Sequence, residues 1–215
     1  MQIFHRSANS IAKVSIVGGV LLVGGIIALA YSIDRGAYIT DVKVVRTQPI
    51  PFSHKHHVLD DGIDCRYCHT SVETSARAGL PATEVCMSCH SQIWTNAAVL
   101  EPVRESWRTG QSIEWTRVHD LPDFVYFNHS IHLNKGIGCS TCHGEVQNIS
   151  FMYKQNTLYM NWCLECHRNP EKYIRPRSEV FNTAYQAPAN QAELGKKLVA
   201  EYHVQSLTDC YTCHR

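Results

Sequence analysis

Residues 127–143 read FNHSIHLNKGIGCSTCH, and these positions decide what kind of molecule the chain makes. Their last five, Cys139 to His143, form C-x-x-C-H, the pattern at which two thiols add across the vinyl groups of a haem. The following histidine is then held against the iron as an axial ligand. The pattern recurs at Cys65–His69, Cys86–His90, Cys163–His167 and Cys210–His214, and these five copies use all 10 cysteines. A zinc site could recruit two C-x-x-C pairs, but it would not require a histidine directly after each. A disulfide framework would not either. The sequence therefore predicts five covalently bound c-type haems, attached through Cys65, Cys68, Cys86, Cys89, Cys139, Cys142, Cys163, Cys166, Cys210 and Cys213. Their proximal iron ligands are His69, His90, His143, His167 and His214.

The first half of the same stretch supplies the other axial positions. Phe127-Asn128-His129-Ser130-Ile131-His132 repeats Phe52-Ser53-His54-Lys55-His56-His57 as F-x-H-x-x-H at an offset of 75 residues, and each copy precedes a pair of haem motifs. Two histidines three apart diverge by about 60° on a helix, so each pair reaches two neighbouring irons rather than sharing one. His54, His57, His129 and His132 are thus expected as distal ligands, and His56, between two of them, as exposed. The fifth distal ligand has three candidates: His119, His203 and Met160, the last of which would give a His/Met iron of higher potential.

Ahead of the haem motifs, residues 14–33 carry no charge, a length of about 30 Å as a helix, one hydrocarbon thickness. His5, Arg6 and Lys13 precede this run, so it reads as a single-pass anchor in the bacterial cytoplasmic membrane. The amino terminus is then cytoplasmic and the haem region periplasmic or extracytoplasmic. A cleaved signal is the competitor, since Ala28-Leu29-Ala30 resembles a cleavage site, but the run exceeds the usual apolar core of about 7–15 residues. The expected organisation is 1–13 cytoplasmic, 14–33 transmembrane helix, 34–51 linker, 52–100 first dihaem module, 101–126 connecting segment, 127–180 second dihaem module and 181–215 a segment with the fifth haem.

Composition excludes other classes. Lys+Arg 20 against Asp+Glu 19 lacks the basic surplus of a nucleic-acid binder, and no nucleic-acid partner is expected. A mean hydropathy of −0.22 excludes a polytopic membrane protein. The 182 residues after the span leave about 36 per haem, too few for a conventional core around each. A mainly α fold with little regular structure, organised around five haems, follows. Local signals include Thr83 as a cap for a helix carrying Cys86–His90 and an apolar face of Leu194, Leu198, Val199 and Tyr202 despite Gly195. A weak strand signal covers Tyr38–Val45.

The anchor, FSHKHH, CRYCH, CMSCHSQIW, WTRVHDLPDFVYFNHSIH, CSTCHG, MNWCLECHR and CYTCHR occur in one order along the chain. Together they resemble the membrane-anchored pentahaem cytochrome subunit of bacterial alternative complex III, over the whole chain and most specifically between residues 48 and 168. The F-x-H-x-x-H modules are also similar to class III cytochromes of the c3/c7 type. The resemblance implies an electron-transfer subunit of a quinol:acceptor oxidoreductase rather than an enzyme by itself. It implies a polytopic quinol-binding membrane subunit, an iron–sulfur subunit related to molybdopterin enzymes, a monohaem cytochrome c subunit and an extracytoplasmic electron acceptor as partners, with the lipid bilayer around the anchor. It favours His119 as the fifth distal ligand, because His119 lies inside the resembling stretch. Two other functions compete. A membrane-anchored multihaem quinol dehydrogenase would oxidise quinol beside its own span, which offers little pocket. A multihaem reductase needs an open iron, often marked by a lysine in place of the proximal histidine, and no motif here carries one.

Overall fold

The computed structural model describes residues 4–214, which divide after Val42 into two units. The first is dominated by α1 (Ala8–Arg35), whose most apolar window has a mean hydropathy of 2.3 and none of whose residues is buried. It is the one described helix long and apolar enough to cross a membrane. Gly36 breaks it with an extended backbone, and the four-residue α2 (Ala37–Thr40) follows. Asp41, left-handed at φ 54°, closes α2. This replaces the expected strand at Tyr38–Val45: Tyr38 to Thr40 are helical, and in the second unit Val45 makes one antiparallel bridge to Tyr153.

The second unit is a chain of short helices joined by loops: α3 (Cys65–Cys68), α4 (Thr83–His90), α5 (Glu101–Thr109), α6 (His129–Asn134), α7 (Cys139–His143), α8 (Met160–Arg168), α9 (Gln191–Glu201) and α10 (Cys210–Cys213). Among the described residues no extended strand forms, only isolated bridges. The polypeptide's own core is thin. Nine apolar side chains are buried among the described residues, and six of them form two clusters. Ile50, Leu100 and Val103 pack with Met87 and Trp115 where α4 meets α5. Ile174, Leu198 and Tyr202 pack with Leu194 and Val199 where α9 covers residues 170–172.

That second cluster explains the glycine in α9. A Cβ at Gly195 would lie 1.9 Å from the carbonyl oxygen of Glu171, so the helix approaches that segment backbone to backbone. Thr83 is not a cap. It is the first residue of α4, after Ala82, and its hydroxyl meets the Ser106 hydroxyl at 2.6 Å, tying α4 to α5.

Candidate haem sites

Every C-x-x-C pair falls within a helix, which sets its two sulfurs on one face with the histidine at or just beyond the last turn. The smallest of these helices needs local help, and Asp64 caps α3 by accepting from the Arg66 backbone N–H at 2.8 Å. All ten thiols are free of disulfides. Burial pushes the Cys142 thiol up to about 12 and the Cys166 thiol up to about 11. A hydrogen bond from the neighbouring Cys139 thiol holds the Cys65 thiol below its usual range.

The two F-x-H-x-x-H copies fold alike. Phe52 lies edge-on to His54 at 5.0 Å and stacks on His57 at 4.5 Å. Phe127 lies edge-on to His129 at 4.8 Å and stacks on His132 at 4.3 Å. In both copies the phenylalanine therefore contacts both imidazoles, one edge-on and one stacked. The second copy is α-helical, started by Asn128, whose side-chain oxygen accepts from the Ile131 N–H. The first is a π-helical turn over Lys55–Asp60, a local widening frequent at functional sites.

The second histidine of each copy faces a histidine that follows a C-x-x-C pair. His57 and His90 are 6.3 Å apart, ring centre to ring centre, at 68°, and His132 and His167 are 6.1 Å apart at 70°. His129 faces His143 at 6.4 Å. An imidazole nitrogen sits about 2 Å from a bound metal, so two rings sharing one iron need centres roughly 6 Å apart. The three spacings fit.

Six of the ten candidate iron ligands also have Nδ1 against a backbone carbonyl: His57 on Ser53 at 2.9 Å, His69 on Gly79 at 2.7 Å, His90 on Ile93 at 3.2 Å, His129 on Ala76 at 3.0 Å, His132 on Asn128 at 2.7 Å and His214 on Phe124 at 3.2 Å. A carbonyl only accepts, so Nδ1 carries the proton and Nε2 presents its lone pair. That outer hydrogen bond is what orients a metal-bound histidine. Loss of hydration, then repulsion from His69 and His57, lowers His54 to about 4. Loss of hydration, then Lys154 and His129, lowers His119 to about 4, and loss of hydration, then His119 and His129, lowers His143 to about 3. Neutral rings are the form that binds a metal. Buried and unpartnered in the protein alone are His54 Nδ1 and His119 Nε2.

Burial separates the thirteen histidines cleanly. All ten candidate ligands are half-buried, whereas His5, His56 and His203 are exposed. His56 turns its ring nitrogens to Asp60 and Asp61 at 3.5 and 3.6 Å. Met160 is 55% exposed. His119 lies 4.3 Å from His143, ring centre to ring centre, closer than two rings around one iron. No described histidine ring contacts His214, but residues 124–126 do. Tyr126 N–H donates to Cys213 O at 2.8 Å and Val125 bridges to His214. Sequence reasoning did not reach the two phenylalanines or the carbonyls of Gly79, Ala76 and Phe124. Only the phenylalanines left a signal, as the first letter of the repeat.

Among the described residues no three His, Cys, Asp or Glu side chains converge on one point, so the imidazoles meet in facing pairs rather than as a cage. Residues 125–215 match the family model described as cytochrome c7 and related cytochrome c. Over 145 residues the chain is 32% identical to the multihaem cytochrome c subunit of a menaquinone reductase from Nitratidesulfovibrio vulgaris, covering 58% of this chain and 69% of that protein.

Proposed function

The chain belongs to the multihaem cytochromes c related to cytochrome c7, and on that premise we propose that it is the pentahaem electron-transfer subunit of a membrane quinone-reactive complex of the alternative complex III type. Bound haem iron would supply reversible one-electron exchange. Histidines of this chain would hold each iron from both sides and leave no open position for a substrate, so that the chain would carry electrons without catalysing a reaction itself. The observation that carries this reading is the two facing imidazole pairs, His57 with His90 and His132 with His167, in which three of the four Nδ1 atoms are tied to backbone carbonyls.

The internal repeat supports the ligand assignment. His57 with His90 and His132 with His167 are equivalent pairs, and by the same equivalence His54 serves His69 and His129 serves His143. His119 is then left for His214. Its unpartnered Nε2 and the packing of residues 124–126 against the last motif support this, and the exposure of His203 and Met160 argues against either. The α1 helix is proposed as the anchor, with the haem region on the extracytoplasmic side.

In this reading a polytopic partner subunit would oxidise quinol, and bound haems would supply the one-electron route from it to an iron–sulfur subunit, a monohaem cytochrome or another extracytoplasmic acceptor. A second reading runs the current the other way, from an extracytoplasmic donor to menaquinone, and the name of the similar subunit favours it. Stopped-flow reduction of the intact complex separates them: a menaquinol analogue reduces these haems rapidly in the first case, and a low-potential extracytoplasmic donor does so in the second. Purified chain alone stays oxidised with quinol in both; rapid reduction of it would make the chain a quinol dehydrogenase. His119→Ala is expected to turn one of five low-spin haems high-spin in the electron paramagnetic resonance spectrum, while His203→Ala leaves all five unchanged.

A further inference from the structure

Six buried side-chain polar atoms lack a partner among the described residues, and three of them line one cavity. These are Arg175 Nε, Tyr185 OH and Gln191 Oε1, in a cavity of about 300 Å³ whose wall also includes Thr141, Lys172 and Tyr173. Two of the other three, His54 Nδ1 and His119 Nε2, belong to proposed haem ligands. Buried polar atoms are rarely left unpaired, so such a cluster marks a place where something polar binds.

Arg175 is the anchor of the cavity. It is 7% exposed, yet no carboxylate lies within ion-pair distance of it among the described residues. Its Nη1 donates to Asn182 O at 3.3 Å, and its Nη2 to the hydroxyls of Ser140 and Thr141 at 3.2 and 3.3 Å. The guanidinium stacks over the Tyr185 ring at 4.5 Å. Room for it is built in at Gly138, where a Cβ would come within 2.4 Å of the guanidinium carbon. A buried cation is costly unless a charge of opposite sign meets it. Gln191 donates its amide to the carbonyls of Glu171 and Ile174, both at 2.9 Å, so its free oxygen is an acceptor that a bridging water or an acid proton would satisfy.

We propose that this cavity is a carboxylate-binding site in which Arg175 and Tyr185 hold the acid group. The proposal rests on the haem reading for one of its two sources, the propionate of a haem on this chain; the other source is a small carboxylate from solution. Thr141 lies between Cys139 and Cys142, on the thioether edge of the haem bound there. Propionates lie on the opposite edge of the macrocycle, so a propionate in the cavity comes from a neighbouring haem. Arg175 then neutralises a negative charge close to an iron, which favours the reduced form of that iron.

The test uses the full-length, haem-loaded chain in detergent, with the haem count per chain checked first by pyridine haemochrome. A count below five in wild type breaks the haem reading rather than the cavity proposal. Potentiometric titration then compares wild type, Arg175→Gln and Arg175→Lys. The propionate source predicts that Arg175→Gln raises the oxidised-to-reduced ratio of one haem about tenfold at fixed potential, a fall of about 59 mV, while Arg175→Lys moves it less. The solution source predicts no such shift in carboxylate-free buffer, but saturable calorimetric binding of acetate to wild type that Arg175→Gln abolishes. Either result supports the site. Neither shift nor binding, with five haems present, overturns it. Should Arg175→Gln fail to mature, Tyr185→Phe, which removes only the buried hydroxyl, is read in the same two ways.

Discussion

At the scale of single residues, what distinguishes an iron ligand here is the company its Nδ1 keeps. His56 and His57 are adjacent in sequence, yet His57 ties Nδ1 to Ser53 O and stacks on Phe52, while His56 faces two aspartates at the surface. Replacing one member of a proposed pair without emptying it gives a sharp prediction. His132→Met puts a thioether opposite His167, and a His/Met iron has a higher potential than a bis-histidine one. Redox titration should show one haem displaced upward and the other four in place. His56→Ala should leave all five where they were, and a displaced haem there would put His56 among the ligands. The ligand positions were legible in the sequence because spacing alone reveals F-x-H-x-x-H and C-x-x-C-H. Their orientation was not. The carbonyls that fix His69 and His129 come from Gly79 and Ala76, 10 and 53 positions away, and no local pattern announces them.

At the scale of elements, the described helices beyond Val42, none longer than the 11 residues of α9, are too short to persist alone, since isolated helices under about 12 residues are marginal in water. Tertiary contacts can override local preference in them, and Gly195 shows how far. In an exposed helix, replacing glycine by alanine stabilises by about 1 kcal/mol. Here the added methyl meets the Glu171 carbonyl, and overpacking against backbone costs about 1–3 kcal/mol. The second effect wins, so Gly195→Ala is expected to lower the thermal midpoint, followed by circular dichroism at 222 nm. A rise would mean that α9 stands off from residues 170–172. The same logic explains two sequence expectations that the structure corrected. Thr83 has the composition of a cap, but Ser106 on α5 claims its hydroxyl. Tyr38–Val45 is rich in β-forming side chains, but Gly36 and the left-handed Asp41 bound a helical turn there. The apolar face of α9 was legible, because a period of 3.6 survives whatever packs on it, and Leu194, Leu198, Val199 and Tyr202 all join one cluster.

At the scale of the whole molecule, the nine apolar side chains buried among the described residues cannot hold the loops and short helices beyond Val42. The remaining cohesion has to come from what the cysteines and histidines bind, and in the proposed pairing the macrocycles held by His57 and His90, by His132 and His167 and by His119 and His214 would join segments more than 30 positions apart. The last motif makes this testable. Residues 124–126 and 213–214 are joined by the Tyr126–Cys213 hydrogen bond, the Val125–His214 bridge and the contact of His214 Nδ1 with Phe124 O, and they are about 90 positions apart in sequence. Closing a loop of that length costs entropy that so few backbone contacts do not offset. A haem attached at Cys210 and Cys213 and ligated by His214 and His119 would hold the loop closed covalently at one end and by an iron bond at the other. Deleting residues 203–215 removes both sulfurs and the proximal histidine, so pyridine haemochrome should give four haems per chain in place of five. The loss should also release residues 119–126, read as faster amide hydrogen exchange there than in α6. Five haems in the truncated chain would show that the terminal motif is not an attachment site. Four haems with unchanged protection at 119–126 would show that His119 serves another iron.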